Sequence, residues 1–287
     1  MDQWQKKGGS VAHACRALQI CRSGYYAAKV SPQKDSGLLA NIQEVFIHSG
    51  KTYGNRRIVK ALNSKGIKIG RYKVRRLMRQ MNLSPVWKRK FKRTTDNTHS
   101  LPVAANILNR QFTPAKPNQA WVADITYIWT RSGWLYLAVI LDLFSRKVVG
   151  WAMSVTMTAD LVCRALVMAI GARCPLIGLI VHTDRGSQYA SHDYQRLLKR
   201  YGLIGSMSRK GNCWDNAVAE RFFLNLKMER VWQRSYANQL EAEKDIAQYI
   251  AGYYNCIRLH SACGYLSPIA YEQKMMTEKP YRVSEKT

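Results

Sequence analysis

The stretch "QAWVADITYIWTRSGWLYLAVILDLFSRKVVGWAMS", residues 119–154, decides the fold. It holds three runs rich in aromatic and β-branched residues, separated by the short polar segments "TRSG" and "SR". Residues of the first kind favour strands and the polar interruptions favour turns. We therefore predict three consecutive antiparallel strands in this stretch.

After residue 154 the pattern changes to alternating helices and strands. A helix is predicted in "TADLVCRALVMAIGA", a strand in "LIGLIVHT", a helix in "SHDYQRLLKRYG", a short strand in "LIGSMS" and a helix that starts near Asp215. The order βββαβαβα is typical of an α/β fold, a mixed five-stranded sheet flanked by helices.

The charge of the chain indicates a polyanionic partner. Its 287 residues carry 45 Lys and Arg against 18 Asp and Glu, which gives a formal charge of +27 and a pI near 10.0. An anionic membrane would instead call for a basic amphipathic helix or a lipidation signal, and the sequence offers neither. No run approaches the roughly 18 apolar residues of a membrane span, and "MDQWQKKGGS" is no signal peptide. The seven cysteines are scattered and favour no disulfide framework.

Much of this charge lies in one region of the chain. Between Glu44 and Asp96 there is no acidic residue, while Lys and Arg number 16. Apolar residues at helical spacing predict three short helices, and the third carries its cations outside its apolar stripe, as a helix lying on DNA would. A solvated basic face is the alternative. The predicted DNA contacts here are Arg71, Lys73, Arg75, Arg76, Arg79, Lys88, Arg89 and Lys90.

These patterns divide the chain into five parts. Residues 1–35 form a small helical segment with a possible helix-turn-helix, and 36–95 form the basic helical, helix-turn-helix-like domain. Residues 96–117 are polar, basic and proline-bearing, which predicts a linker. The sheet domain takes 118–235, and a C-terminal helical extension and tail take 236–287.

Three carboxylates occupy positions that suit chemistry on phosphates. Asp124 lies inside the first strand, Asp184 ends the fourth strand and Glu220 lies on the last helix of the sheet domain. On that helix Asn216, Glu220 and Lys227 fall together, opposite the apolar stripe. Each acid alone also suits a turn or a surface position. Together they would repel each other unless a divalent cation neutralised them, and oxygen ligands select Mg²⁺ or Mn²⁺.

The order and spacing of these acids resemble a known signature. Thirty-five residues separate Asp184 from Glu220, with Asp124 upstream, as in the Asp-Asp-35-Glu pattern of retroviral integrases and related bacterial transposases. The blocks "WVADITYI", "YLAVILDLFSRKVVGW", "HTDRGSQYAS", "SRKGNCWDNAVAERFFLNLKME" and "YYNCIRLHSACGYLSP" resemble those of the insertion-sequence-three family, second-frame (OrfB) product. The resemblance covers nearly the whole chain.

The resemblance implies a fold and a reaction. It implies an RNase H-like integrase core with Asp124, Asp184 and Glu220 as ligands of two Mg²⁺ or Mn²⁺ ions, and Lys227 in contact with terminal DNA. Such an enzyme cleaves DNA at the ends of a mobile element with water and transfers the freed 3′-hydroxyl to target DNA. The implied protein is bacterial, cytoplasmic and nucleoid-associated. Its implied partners are the terminal repeats, target DNA, further copies of itself on DNA, and a first-frame (OrfA) product or fusion.

Further residues receive narrower expectations. Gly186 is expected to permit a tight turn, with Ser187 and Gln188 near the scissile phosphate, and Asn216 is expected to contact DNA. Asp215 is expected to be structural, as the N-cap of the catalytic helix.

Alternatives stay open at this stage. Asp142 is expected to be structural, and His182 to be a core histidine rather than a ligand. Arg258 and His260 either touch DNA or brace the C-terminal helix. For the whole chain, the alternative functions are a catalytically silent DNA-binding partner or regulator of the fused transposase, and a ribonuclease or junction nuclease on the same core.

Overall fold

The computed structural model describes residues 10–26, 35–86, 103–209 and 213–278. The chain forms two compact units, residues 1–85 and 86–287, and each is described by itself.

The first unit is helical. Its helices are α1 (Val11–Ala17), α2 (Ser36–His48), α3 (Asn55–Ser64) and α4 (Arg71–Gln80), and residues 22–26 are also helical. The buried side chains of α2, α3 and α4 recur every three or four residues, as expected for helices that share a core. They are Ile42, Val45, Phe46, Ile58, Leu62, Val74, Leu77 and Met78. The three predicted helices are confirmed.

The second unit is built on one five-stranded sheet. Its strands are β1 (Ala120–Thr130), β2 (Gly133–Asp142), β3 (Val148–Ser154), β4 (Ile180–Thr183) and β5 (Ile204–Met207). They lie in the order β3-β2-β1-β4-β5. The first three strands pair antiparallel, whereas β4 pairs parallel to β1 and β5 parallel to β4. The predicted meander and mixed sheet are confirmed.

Helices cover the sheet. They are α5 (Ala159–Arg173), α6 (Ser187–Ala190), α7 (His192–Arg200), α8 (Ala217–Glu229), α9 (Gln239–Gln248) and α10 (Pro268–Glu278). A π-helix, Tyr249–Tyr254, continues α9, and 3₁₀ turns span Cys213–Asn216, Val231–Gln233 and Ser261–Cys263. Of the helices described, none is both long enough and apolar enough to cross a bilayer.

Each face of the sheet has its own apolar core. Val122 and Ile128 of β1 point to the face where α8 and α9 pack, and Trp121 and Ala123 point to the face of α5 and α7. This alternation follows from the period of two along a strand. Gly150 of β3 has no side chain because a Cβ there would collide with the backbone of α5.

Segments outside the predicted sheet domain also join its core. Leu108 is buried against one face, and the backbone N–H groups of Ile107 and Leu108 donate to Ser206 Oγ of β5. From the C-terminal side, Ala242 and Ile246 of α9 are buried in the same cluster. The division at residues 117 and 235 stays a prediction, and the structure shows side chains from both sides of it in one core.

Candidate active site

Asp124 and Asp184 stand at matching positions on neighbouring parallel strands. The register of β1 and β4 pairs Val122 with His182, and each of these lies two residues before an aspartate. Asp124 continues along β1, and Asp184 follows directly after the last residue of β4. Side chains two residues on from a paired position point to the same face, so the sheet itself brings the two carboxylates together.

The surroundings of Asp124 concentrate negative charge. The side chain is part-buried, and the Ile125 N–H donates to its Oδ1 at 2.8 Å. Burial, then the charge of Asp184 and to a smaller extent that of Glu220, raise the pKa of Asp124 well above its ordinary value, while Lys227 acts in the opposite direction. A cation held by these oxygens would relieve both the burial and the repulsion.

Asp184 is fixed by the turn that follows it. Its Oδ1 accepts a hydrogen bond from the Gly186 N–H at 2.9 Å. Gly186 has φ −60° and ψ 141°, a conformation open to any residue, so the backbone angles of this turn do not require glycine. A Cβ on Gly186 would lie 3.0 Å from Asp184 Oδ1 and 3.0 Å from Gln188 Oε1. Glycine leaves room for these oxygens.

The two residues after Gly186 differ in their surroundings. Ser187 begins α6 and is exposed. Gln188 is part-buried, and its amide donates to Met157 O at 3.1 Å. Their contact with DNA stays a prediction.

Helix α8 carries Glu220 and Lys227, whose charges both act on Asp124. Glu220 lies in its first turn with its side chain exposed overall, and partial burial of its carboxylate raises its pKa. Lys227 is part-buried, with Nζ over the ring of Tyr127 at 4.8 Å. Burial lowers the pKa of Lys227, and the charge of Asp124 partly offsets this. Tyr127, three residues after Asp124, is therefore a site neighbour that the sequence patterns did not single out.

Asn216 is buried, whereas Glu220 is exposed. Asn216 precedes α8, is 5% exposed, and its amide nitrogen lies 3.5 Å from Ala123 O on β1. Its Oδ1 is buried with no hydrogen-bond partner among the residues described. Asn216 thus holds the start of α8 against the strand that carries Asp124, and its predicted contact with DNA stays a prediction.

Asp215 is structural, but in another way than expected. Asn216 occupies the N-cap of α8, so the expectation that Asp215 caps this helix is wrong. The buried Asp215 carboxylate accepts hydrogen bonds from Asn106, from Arg110 Nε at 2.8 Å and from the Arg209 N–H at 3.0 Å. It ties the segment before β1 to the loop before α8.

Arg258 and His260 brace helix α8. Arg258 is 1% exposed, and its guanidinium donates to both oxygens of Glu229, the last residue of α8, at 2.7 and 2.6 Å. Tyr249 donates to the same carboxylate, and His260 Nε2 lies 3.1 Å from the Arg258 guanidinium. The bracing thus acts on α8, whereas the prediction named the C-terminal helix, and contact of either residue with DNA stays a prediction.

His182 and Asp142 lie in the interior. His182 is buried between Ser206 and Ser208, whose hydroxyls lie 2.9 and 3.2 Å from its ring nitrogens, and burial lowers its pKa to about 4. Asp142 accepts from the Asn118 N–H and from Arg173. Both residues are structural, as expected.

The part of the chain that the structure describes has no preformed three-ligand metal centre. Among the residues described, no group of three or more His, Cys, Asp and Glu side chains lies close enough to hold an ion. Asp124 and Asp184 lie on neighbouring strands and Glu220 on α8, and the charge of Glu220 acts on Asp124.

In the first unit, the predicted DNA contacts on α4 are all exposed. Two of them, Lys73 and Arg76, form ion pairs with Asp35 at 2.7 and 3.2 Å. For Arg71, Arg75 and Arg79 the described residues provide no ion pair. The cationic run is thus partly offset by an acid before it in the sequence, and α4 keeps three arginines for a polyanion. The remaining predicted contacts, Lys88, Arg89 and Lys90, lie outside the described residues.

Comparisons with known proteins define the class. Residues 114–213 and 201–268 match two models named integrase core domain, and residues 32–91 match an HTH-like domain. A solved structure of the HTLV-2 integrase catalytic core domain in complex with magnesium is similar at 19% identity and a TM-score of 0.41, over 55% of this chain and 98% of that chain. The chain combines an RNase H-like integrase core with a helix-turn-helix-like domain, the architecture of DNA-binding polynucleotidyl transferases.

Similar proteins identify the family. The chain is 43% identical to an insertion element IS600 31 kDa protein of Shigella sonnei, over 91% of this chain and 97% of that protein. It is 42% identical to transposase InsF for insertion sequence IS3A of Escherichia coli (strain K12), over 92% of this chain and 94% of that protein. The chain belongs to the insertion-sequence-three family of transposases.

Proposed function

We propose that this transposase cleaves DNA at the ends of its element and joins the freed 3′-hydroxyl to target DNA, with Asp124, Asp184 and Glu220 as its catalytic residues. The observation that carries the proposal is the pairing of β1 with β4. It sets two aspartates at matching positions where one carboxylate bears a raised pKa. A carboxylate pair of this kind is costly in a fold that does not use it.

The donors fit a divalent cation. Asp124 and Asp184 offer only oxygen ligands, which suit Mg²⁺ or Mn²⁺. Burial, and then the charge of Asp184, raise the pKa of Asp124, and a cation there would stabilise its ionised form. These two residues would hold the ion, and Glu220 would join one of them in holding a second. When bound, the ions activate the attacking hydroxyl and stabilise the leaving oxygen of the phosphodiester.

The chain's own cations would hold the DNA. Lys227 lies beside Asp124 and over Tyr127, where its ammonium would bind a phosphate next to the scissile bond. The exposed arginines of α4 would bind element DNA away from the reaction centre. The proposal also includes active complexes of several copies of the chain, and a first-frame (OrfA) product or fusion as a partner.

The proposal is tested by strand cleavage and joining on labelled element-end DNA in Mg²⁺ or Mn²⁺. Wild type, Asp124→Asn, Asp184→Asn and Glu220→Gln are compared with Asp193→Asn, a control on an exposed carboxylate of α7. We expect cleaved and joined products from wild type and the control, and a loss of at least about a thousandfold in the other three. Equal activity in Asp184→Asn and wild type would refute the assignment.

A wild type that cleaves no DNA would indicate a different function. If wild type and Asp184→Asn bind element-end DNA equally and neither cleaves it, this polypeptide acts as a DNA-binding partner or regulator. The same comparison on a fusion with the upstream reading frame then shows whether the carboxylates act there.

A further inference from the structure

The end of the β1–β2 hairpin carries an exposed aromatic platform, which consists of Tyr127, Trp129 and Trp134. The register pairs Trp129 with Trp134, and Tyr127 lies diagonally from Trp134. The indoles meet edge to face with ring centroids 4.7 Å apart, and the Tyr127 ring lies 5.1 Å from that of Trp134. Trp129 is 58% exposed and Trp134 44%.

The platform lies beyond the packed part of its sheet face. On this face the apolar cluster under α5 and α7 reaches Ile125 and Tyr136. On the opposite face Ile128 and Leu135 are buried. Single exposed aromatic residues are common, but two adjoining indoles on one strand pair are an apolar patch of the kind that marks a binding surface.

The platform lies on the opposite face of β1 from Asp124, and Lys227 links it to the candidate active site. Tyr127 lies three residues after Asp124, and its ring receives the Lys227 ammonium at 4.8 Å. Trp129 lies five residues after Asp124, about 16 Å along an extended strand. Because β4 pairs only with Ala120–Val122, the described residues leave the edge of β1 beyond Asp124 without a neighbouring strand.

We propose that Trp129 and Trp134 stack an unpaired base of the DNA strand whose scissile phosphate lies at Asp124 and Asp184. This proposal rests on the proposed function. Indole faces stack on any base. The Lys227 ammonium lies between the platform and the carboxylates, where it would bind the phosphate that links the scissile bond to an unpaired base. The net charge of +27 favours a polyanion over a second copy of the chain, which would bring the same charge.

The test is a binding comparison in EDTA, which needs no catalysis. Three DNAs are used: a blunt element-end duplex, the same duplex with a four-nucleotide unpaired 3′ tail, and that duplex with abasic sites in the tail. Wild type should bind the natural tail about tenfold more tightly than the abasic tail. Trp129→Ala/Trp134→Ala should remove this ratio and leave the affinity for blunt duplex unchanged, and Trp129→Phe should keep part of it.

Tyr201→Ala is the matched control, because Tyr201 is an exposed aromatic residue that precedes β5, at the other end of the strands from Asp184. It should keep the wild-type ratio. If the double variant unfolds at a lower temperature than wild type, a second measurement on wild type alone decides whether the base stacks. A 2-aminopurine is placed in the tail, and its fluorescence should be quenched when wild type binds, since a stacked base is quenched and a free base is not.

Two results would overturn the proposal: equal binding of natural and abasic tails by wild type, or an unchanged ratio in the double variant. Conversion of an oligomer to a monomer by the double variant, with the ratio unchanged, would make the platform a self-association surface. A wild type that shows the ratio but cleaves no DNA would contradict the proposed function and leave the platform standing.

Discussion

Replacing Arg258 by methionine should destabilise the second unit by about 3–5 kcal/mol, the usual cost of removing one partner of a buried ion pair. Arg258 and Glu229 have side chains that are 1% and 7% exposed, so solvent screens their attraction little. The guanidinium makes two charged hydrogen bonds, at 2.7 and 2.6 Å, and both would be lost. Methionine fills much of the volume, so the loss measures mainly the carboxylate left without its cation.

The assay is urea unfolding followed by tryptophan fluorescence, since seven of the eight tryptophans lie after residue 85. Arg258→Met/Glu229→Gln should recover part of the lost stability because no buried charge is left unpaired. Arg164→Met, which breaks an exposed ion pair with Asp160, is the control and should cost less than about 1 kcal/mol. A cost below 1 kcal/mol for Arg258→Met, or a double variant as unstable as the sum of its single changes, would refute the bracing role.

Three further outcomes follow from the structure. Gly186→Ala should slow strand cleavage by about tenfold while DNA binding persists, because the added Cβ, 3.0 Å from Asp184 Oδ1, would displace this oxygen slightly; cleavage at the wild-type rate would contradict this. Arg75→Ala/Arg79→Ala should lower the slope of log affinity against log salt by about 1.8 for duplex DNA, measured by anisotropy, and an unchanged slope would remove these arginines from the DNA interface. The folded-state pKa of His182 is about 4, below the 6.5 of the unfolded chain, so its neutral form stabilises the fold at pH 7 and this contribution is lost as pH falls from 6.5 towards 4. The stability advantage of wild type over His182→Gln in urea unfolding should therefore shrink by about 3 kcal/mol between pH 7 and pH 4, and a constant advantage would count against a buried neutral histidine.

The sequence was informative where local pattern and tertiary structure agree. Strand-forming runs and short turns predict the meander of β1 to β3 because a two-sided core demands apolar residues on both faces. The proximity of Asp124 and Asp184 also follows from pattern, once a parallel β4 beside β1 sets their register.

Other features depend on contacts between distant segments and could not be read from spacing. The Arg258–Glu229 pair joins residues 29 positions apart, and Lys73 pairs with Asp35 across 38 positions. The burial of Asn216 was not predicted, because its contact with Ala123 O on β1 joins residues 93 positions apart.

Manganese binding tests the central claim most directly, namely that Asp124 and Asp184 form the core of a metal centre. Electron paramagnetic resonance of free Mn²⁺, titrated with the full chain, measures this binding without DNA or turnover. The account predicts a site that Mg²⁺ competes for and that Asp124→Asn and Asp184→Asn each weaken by at least about tenfold, with Asp193→Asn unchanged. Equal Mn²⁺ affinity in wild type and both aspartate variants would contradict it.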